Sequence, residues 1–517
     1  MLKKSKIYSL IIAGAFAIGA SSCNKFLEEL PSKSAAIPIE DVAQIEAMLD
    51  RYASFYGEIN RGAAFGTDDH GLPMALYQAQ PLFLAPFYSL QYILWDTDDL
   101  PANTNDAFWS TEYQKVFIAN MAIKYLNENS IGATAEQKKT LLADAHLIRA
   151  YSFFQLAQQY CLPYSEATKN ELGIPLRLTT SFEESVARAT LEQTYQQIEA
   201  DLQEALKTQQ ALVMDNGRLR SWRANIAGAN GFAARYYLAL GDYTKALNHA
   251  NTALQHHSTL VDYNNSSEMF YGADQVVTID IGTPQQQNFT VMFPFTYSAN
   301  VGTMLDWKEN MYFRTLNNPD IRWFIPSDEL LALYDKDHDL RYEYHIVEGY
   351  SFARAGVNKS EYNMPGYVFF LNDQILSGPT TAEMLLIKAE CLARDNKVAE
   401  ALTAVNTLRA ARMKPGSWVN LTAANKEEAL VKILDERRRE LPFTHRWYDV
   451  RRYNTNDDPS DDVNQMSKTF FPYNASAILG NEPMKTYTLT KGSRRFAQPI
   501  PNAEIQSSMG VIQQNTY

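Results

Sequence analysis

K-E-E-A-L-V-K-I-L-D-E-R-R-R-E-L-P-F-T-H-R-W-Y-D-V-R-R-Y-N, residues 426–454, decides how this chain is read. Leu430, Ile433, Leu434, Arg437 and Leu441 recur at helical spacing, which predicts a helix with one stripe turned to a core. Pro442 lacks an N–H and restricts Leu441, so the helix stops there. Phe443, Trp447 and Tyr448 then read as anchors of an irregular segment. Around them Glu436 and Glu440 face Arg437, Arg438, Arg439, Arg446, Arg451 and Arg452. Guanidiniums this dense beside carboxylates predict a structural ion-pair network, the arginine stems covering apolar surface while their heads pair. Nucleic-acid binding is the rival reading, and the acidic balance of the chain argues against it.

The chain has 517 residues, enough for a large core or several, and a formal net charge of −12. Hydrophobic residues make up 46% and charged ones 21%, as in an ordinary globular protein. The acidity speaks against a basic membrane-surface patch as well as against nucleic acid. The 30 tyrosines are the compositional hint of function, because Tyr and Trp suit wet surfaces that still offer an apolar face. Three cysteines, Cys23, Cys161 and Cys391, give neither a disulfide framework nor metal spacing. Cys161 and Cys391 lie in apolar helical stretches and read as buried, inert thiols.

Residues 1–22 carry Lys3, Lys4 and Lys6, then an apolar run from Ile7 to Ala20, too short for a comfortable membrane span. Ala20-Ser21-Ser22 precede Cys23, as small residues precede the cut of a secretory signal. A cysteine placed there resembles a bacterial lipobox, with Cys23 the acylated first residue of the mature chain. Acyl chains would anchor the protein rather than embed it, since no later stretch is apolar enough to span a bilayer.

Further on, residues 39–56, 109–126, 138–160 and 191–205 have helical periodicity, the last opened by a Thr190/Gln193 capping box. Two helix pairs follow, 224–240 with 244–254 and 383–394 with 399–409. Their second helices share A-L-x-x-x-N-T, at Ala246 to Thr252 and at Ala401 to Thr407. The small alanines let helices approach closely, and the pattern resembles tetratricopeptide packing with long insertions between copies. Residues 275–281 and 288–297 read as short strands. The expected fold is therefore mainly α, a tetratricopeptide-like helix-pair scaffold with long irregular loops and a few short β-strands. The loops at 56–105 and 301–323 are crowded with rings and carboxylates, and long irregular segments in a compact domain are usually functional or disordered. So many rings argue against disorder.

Phosphate-cradling, dinucleotide, H-E-x-x-H and G-x-S-x-G motifs are absent from the sequence, so no catalysis, cofactor or metal is expected. The acidic run at 457–462 lacks the spacing of a calcium loop.

E-R-R-R-E-L-x-F followed by R-W-Y-D-V-R-R resembles the C-terminal pattern of the SusD/RagB family of outer-membrane nutrient-binding lipoproteins. In order along the chain stand F-L-E-E-L-P after Cys23, A-H-L-I-R-A-Y-S-F-F-Q-L at 145–156, G-I-P-L at 173–176, E-M-L-L-I-K-A-E-C-L-A at 383–393 and P-I-P-N-A-E-I at 499–505. The resemblance spans the mature chain and implies one domain over 23–517, with an N-terminal region to 220 and a C-terminal region from 221. It implies a lipid-anchored protein of the outer membrane, facing the exterior, that captures a glycan and hands it to a SusC-like TonB-dependent transporter. A cargo of peptide or another nutrient, or a tetratricopeptide-type scaffold for protein partners, is the alternative. Family ligand groups lie on loops outside the helical repeats, which points to the two aromatic loops. The candidate ligand-binding residues are Asp69, Tyr88, Trp95, Trp307, Tyr312 and Trp323, with Cys23 as the lipidated residue. Trp109, in W-x-x-x-Y, reads as a core anchor.

Overall fold

Helices carry the architecture, and hydrophobic period explains where most of them fall. The computed structural model describes residues 39–73, 87–98, 100, 106–128, 131–215, 218–265, 267–269, 275–279, 287–291, 304–318, 324–347, 365–369 and 374–517. Residues 1–38, which include the expected signal and Cys23, lie outside the described residues. The longer helices are α1 (Val42–Asp50), α2 (Ala107–Glu128), α3 (Ala135–Tyr160), α4 (Leu191–Ala205), α5 (Ile226–Ala239), α6 (Tyr243–His256), α7 (Thr381–Arg394), α8 (Val398–Ala410), α9 (Lys426–Glu440) and α10 (Arg446–Tyr453). Strands are short and mostly paired in twos. One three-stranded sheet joins Gly57–Glu58, Thr315–Asn317 and Gln374–Leu376. The mainly α, tetratricopeptide-like fold expected from the sequence is the fold observed.

Consecutive helices pack as antiparallel neighbours: α2 on α3, α3 on α4, α5 on α6 and α7 on α8. The two A-L-x-x-x-N-T pairs, far apart in sequence, meet in space, because α6 packs directly on α7. Ala246, Ala250 and Ala253 of α6 and Ala401 of α8 are fully buried, which is what close helix approach requires of small side chains. Gly241 at φ 74° makes the reversal between α5 and α6, a backbone conformation glycine adopts at no steric cost. The C-terminal two-thirds of α3 is buried on every side. Its charged groups are paired: Arg149 with Asp201 at 2.6 Å, and Asp144 accepting from Arg223 and from the Ala224 N–H. Cys161 and Cys391 are buried free thiols.

Three boundaries differ from the sequence reading. α3 starts at Ala135 because Thr134 and Gln137 close a second capping box. α1 ends at Asp50, and a 3₁₀ turn at Tyr52–Ser54 completes the stretch expected to be helical. The segment after Pro442, expected to be irregular, resumes as α10. Phe443 at φ 62° reverses the chain, and the arginines of the new helix then lock it in place.

That locking is the ion-pair network anticipated at 426–454. Arg437 of α9 pairs with Asp449 of α10 at 2.8 Å, and Arg452 of α10 grips Glu390 of α7 at 2.5 and 2.8 Å. Glu383 of α7 receives both Nε and Nη2 of Arg235 at 2.8 and 2.7 Å, and His445 at 3.1 Å. Glu436 is shared by Arg341, Arg409 and Arg439, and Glu440 by Arg341 and Arg412. Arg451 has no carboxylate partner among the described residues. It donates to the carbonyls of Cys161 and Phe496, and burial pulls its guanidinium down to about 10.

Burial alone would raise the carboxyl pKa of Glu383, Glu390 and Glu436, but the facing arginines outweigh it and hold all three well below the ordinary 4.5. These groups therefore contribute stability that is present above pH 4.5 and is lost as pH falls below it. Thermal melts should drop steeply from that point down. Glu383→Ala leaves Arg235 buried without its acid, and should cost about 3–5 kcal/mol in a urea titration at pH 7. A loss below about 1 kcal/mol would show the pair to be incidental.

Candidate functional site

Among the described residues, candidates expected to display rings from the two aromatic loops lie in the core instead. Asp69 is fully buried, accepting from Arg438 Nε at 2.5 Å and from the Phe443 N–H at 3.1 Å. Trp95 is 2% exposed and donates its indole N–H to the Gly66 carbonyl at 2.8 Å. Trp307 packs edge-on against Tyr263 and Phe369, with centroids 6.1 and 5.3 Å away. Tyr312 lies under the Arg314 guanidinium at 4.1 Å and accepts its hydrogen bond. Tyr88 stands on the short helix Phe87–Ile93, and Trp323 lies outside the described residues. As placed, Asp69, Trp95, Trp307 and Tyr312 offer no surface to a ligand, which corrects the expectation of free rings. The physical reason is the size of the rings: each buries a large apolar area, and loops with few regular elements need that area to seal the core.

Beside the buried Asp69 opens a cleft of about 710 Å³, lined by its chain neighbours Asp68 and His70 and by Lys468, which covers Trp95; neither Asp69 nor Trp95 lines it. Its walls are residues 68–73, 325–329 and 465–469. Asp68 is clamped by Arg446 through two 2.7 Å bonds. Ser327 ties one wall to the next, its N–H donating to the Asp69 carbonyl at 2.8 Å and its hydroxyl to the Asp68 carbonyl at 2.6 Å. Gly71 sits so close that a Cβ there would meet the Pro326 carbonyl at 2.8 Å. The third wall is the strand Gln465–Phe470, paired antiparallel with Lys485–Thr490. Alternation along it buries Met466 and Phe470 and turns Gln465, Ser467 and Thr469 outward.

The rim is rich in hydrogen-bonding groups. Asp328 and Glu329 are exposed and have no cation partner among the described residues. Beneath them Lys468 donates to the carbonyls of Thr67 at 2.9 Å and Phe65 at 3.3 Å, with its ammonium 5.1 Å over the Trp95 ring. Burial pulls that amine down to about 7. His70 is buried beside it and held neutral, pushed down to about 3 by burial and by the Lys468 charge. Hydroxyl, amide and carboxylate groups around a cavity of this size suit a neutral, hydroxyl-bearing ligand, and two unpaired carboxylates disfavour an anionic one. Among the described residues, no group of three or more His, Cys, Asp or Glu could hold a metal ion, and no helix is long and apolar enough to cross a membrane.

Sequence reasoning missed the rim on 465–469 and a half-buried indole elsewhere, Trp418. The alternating Q-M-S-K-T-F was a visible strand signal, and Pro415-Gly416 ahead of Trp418 a visible turn signal.

Comparison with known proteins places the chain in context. Residues 25–238 match the family described as starch-binding associating with outer membrane, and residues 381–517 match the SusD family. A SusD-like protein P38 of Formosa agariphila is 24% identical over 410 residues, covering 69% of this chain and 76% of that protein. The fold matches a SusD superfamily protein from Bacteroides thetaiotaomicron with TM-score 0.62 and 19% identity, over 92% of this chain and 100% of the other. It matches the surface glycan-binding protein A from Bacteroides uniformis with TM-score 0.59 and 16% identity, over 92% and 98%.

The depressed amine of Lys468 has a definite sign. An unfolded chain binds that proton up to its ordinary 10.5 and the folded chain only up to about 7, so the folded state gains from Lys468 as pH climbs through that window. Lys468→Met should be relatively more stable than the parent at pH 7 and should lose that advantage by pH 10, read from urea midpoints at both. Parallel curves would place the lysine in water.

Proposed function

Because the chain belongs to the SusD/RagB family, we propose that it captures a glycan in the cleft walled by residues 68–73, 325–329 and 465–469 and passes it to a SusC-like TonB-dependent transporter. In this reading residues 1–22 are a removed signal, Cys23 carries the lipid, and the protein faces outward from the outer membrane without breaking bonds itself. One observation carries the choice of cleft: exposed Asp328, Glu329, Gln465, Ser467 and Thr469 surround about 710 Å³ above a floor fixed by Arg438 and Arg446. Gln465 donates to Ser467 at 2.7 Å and Thr469 pairs with Thr486 at 3.3 Å, and the acceptors and donors that these bonds leave over, with the two carboxylates, match the alternating hydroxyls of a sugar; the cavity would hold several sugar rings. The name of the Bacteroides uniformis structure supports a glycan as the ligand class.

An array of α- and β-glucans, mannans, xylans and pectins should contain a polysaccharide that the chain retains. Asp328→Ala with Gln465→Ala should then weaken its binding about tenfold or more in calorimetry, with melting unchanged, because these side chains hold nothing of the core. Wild-type affinity in that double variant would move the ligand elsewhere. Retention of a peptide digest with no polysaccharide bound would favour the peptide reading.

A further inference from the structure

On another face, residues 414–422 arch over a second cleft of about 700 Å³. Pro415-Gly416, with Gly416 at φ 74°, makes the reversal that presents Trp418. The arch is pinned from the helices. Asn406 of α8 exchanges two hydrogen bonds with Leu421, at 3.1 and 2.8 Å. Lys432 of α9 donates to the Thr422 carbonyl at 2.5 Å, and the Lys414 N–H reaches the His338 carbonyl at 2.9 Å. Trp418 is half-buried, unlike Trp95, Trp307 and Trp447 in the core. Its ring leans on the Arg409 guanidinium at 5.5 Å, and its indole N–H has no acceptor among the described residues. Asn420 is exposed beside it, and Asp335 and Lys432 face the same space. The cations at this cleft are paired: Arg409 and Arg439 with Glu436, and Lys432 with Glu428. Asp335 stands 2.8 Å from His338 Nδ1.

A pinned, half-open indole with a free N–H, flanked by an amide, a carboxylate and an ammonium over a cavity of several hundred cubic ångströms, is built to take a flat apolar face fringed with hydroxyls. We propose that the Trp418 cleft is a second saccharide-binding site, stacking one neutral sugar ring on the indole while Asp335, Asn420 and Lys432 take its hydroxyls. The ligand class rests on the glycan reading above. The site does not: its residues are all separate from the first cleft.

The full chain would be treated with limiting N-bromosuccinimide, which oxidises accessible indoles, with and without the polysaccharide selected on the array, and the modified tryptophans mapped by mass spectrometry. Trp418 should react early and be protected by the polysaccharide. Trp418→Ala should weaken polysaccharide retention in affinity gels about tenfold, Trp418→Phe less, both with unchanged melting. A tri- or tetrasaccharide of the same linkage, short enough to fill the first cleft alone, should still show that cleft's binding in Trp418→Ala. An unprotected Trp418 with wild-type retention in Trp418→Ala overturns the second site and leaves the first cleft standing. No polysaccharide retained by the parent chain overturns both. Protection of Trp418 by a peptide digest alone makes the arch a protein-docking surface and overturns the saccharide assignment.

Discussion

Burying carboxylates between guanidiniums is the constraint from which the rest of this structure follows. Glu383, Glu390 and Glu436 are wholly removed from water, and each is tolerable there only because arginines reach it. Such pairs add little net stability over an apolar core of equal volume. What they add here is geometry. Arg437 with Asp449 sets α10 against α9 across the turn at Phe443, Arg452 with Glu390 sets α10 on α7, and Arg409 with Glu436 sets α8 on α9. A helix misplaced by one turn would leave a charge stranded in the core, so the alternatives are penalised heavily.

The same network reaches the first cleft. Arg438 and Arg446 hold Asp69 and Asp68, and through them the wall that Ser327 fastens to its neighbour. The floor is thus fixed by buried charge, while the rim residues Asp328, Glu329, Gln465 and Thr469 lie outside the network and are exposed. A rigid floor with an independent polar rim separates folding from recognition. Rim side chains can change without stranding a charge, whereas Asp69, which looks like a ligand residue in the sequence, cannot.

The helices were legible because period and caps are local: Thr190/Gln193 is read straight from the sequence, and Thr134/Gln137 is the same signal three residues ahead of the apolar run. α10 was not legible, because it is short and Pro442 stops the preceding helix just ahead of it, and its local support is limited to Asp449 in the first turn and Arg451 and Arg452 in the last. It has no capping side chain, and its place is decided by Glu390, 62 residues upstream of Arg452. The family pattern was legible as well, since it consists of these scaffold residues. The residues proposed to meet ligand were not. A tryptophan in a loop has no code for inward or outward, and the difference between Trp95 and Trp418 lies in what surrounds them. Trp95 finds the Gly66 carbonyl and a core; Trp418 is carried away from the core by Pro415-Gly416.

α9 connects the two clefts. Arg438 points to Asp69 under the first, and Arg439 lines the second. Adjacent residues on a helix diverge by about 100°, so one turn of α9 serves two faces of the molecule. Since α9 is held by buried pairs along that turn, the distance between the clefts is fixed rather than flexible. A fixed pair of sites gains nothing for a single sugar, which fills one cleft at a time. It gains by effective concentration for a chain long enough to span both, once its first residues are held. With both clefts taking saccharide as proposed, the architecture would select for length, and would do so with the same arginines that specify the fold.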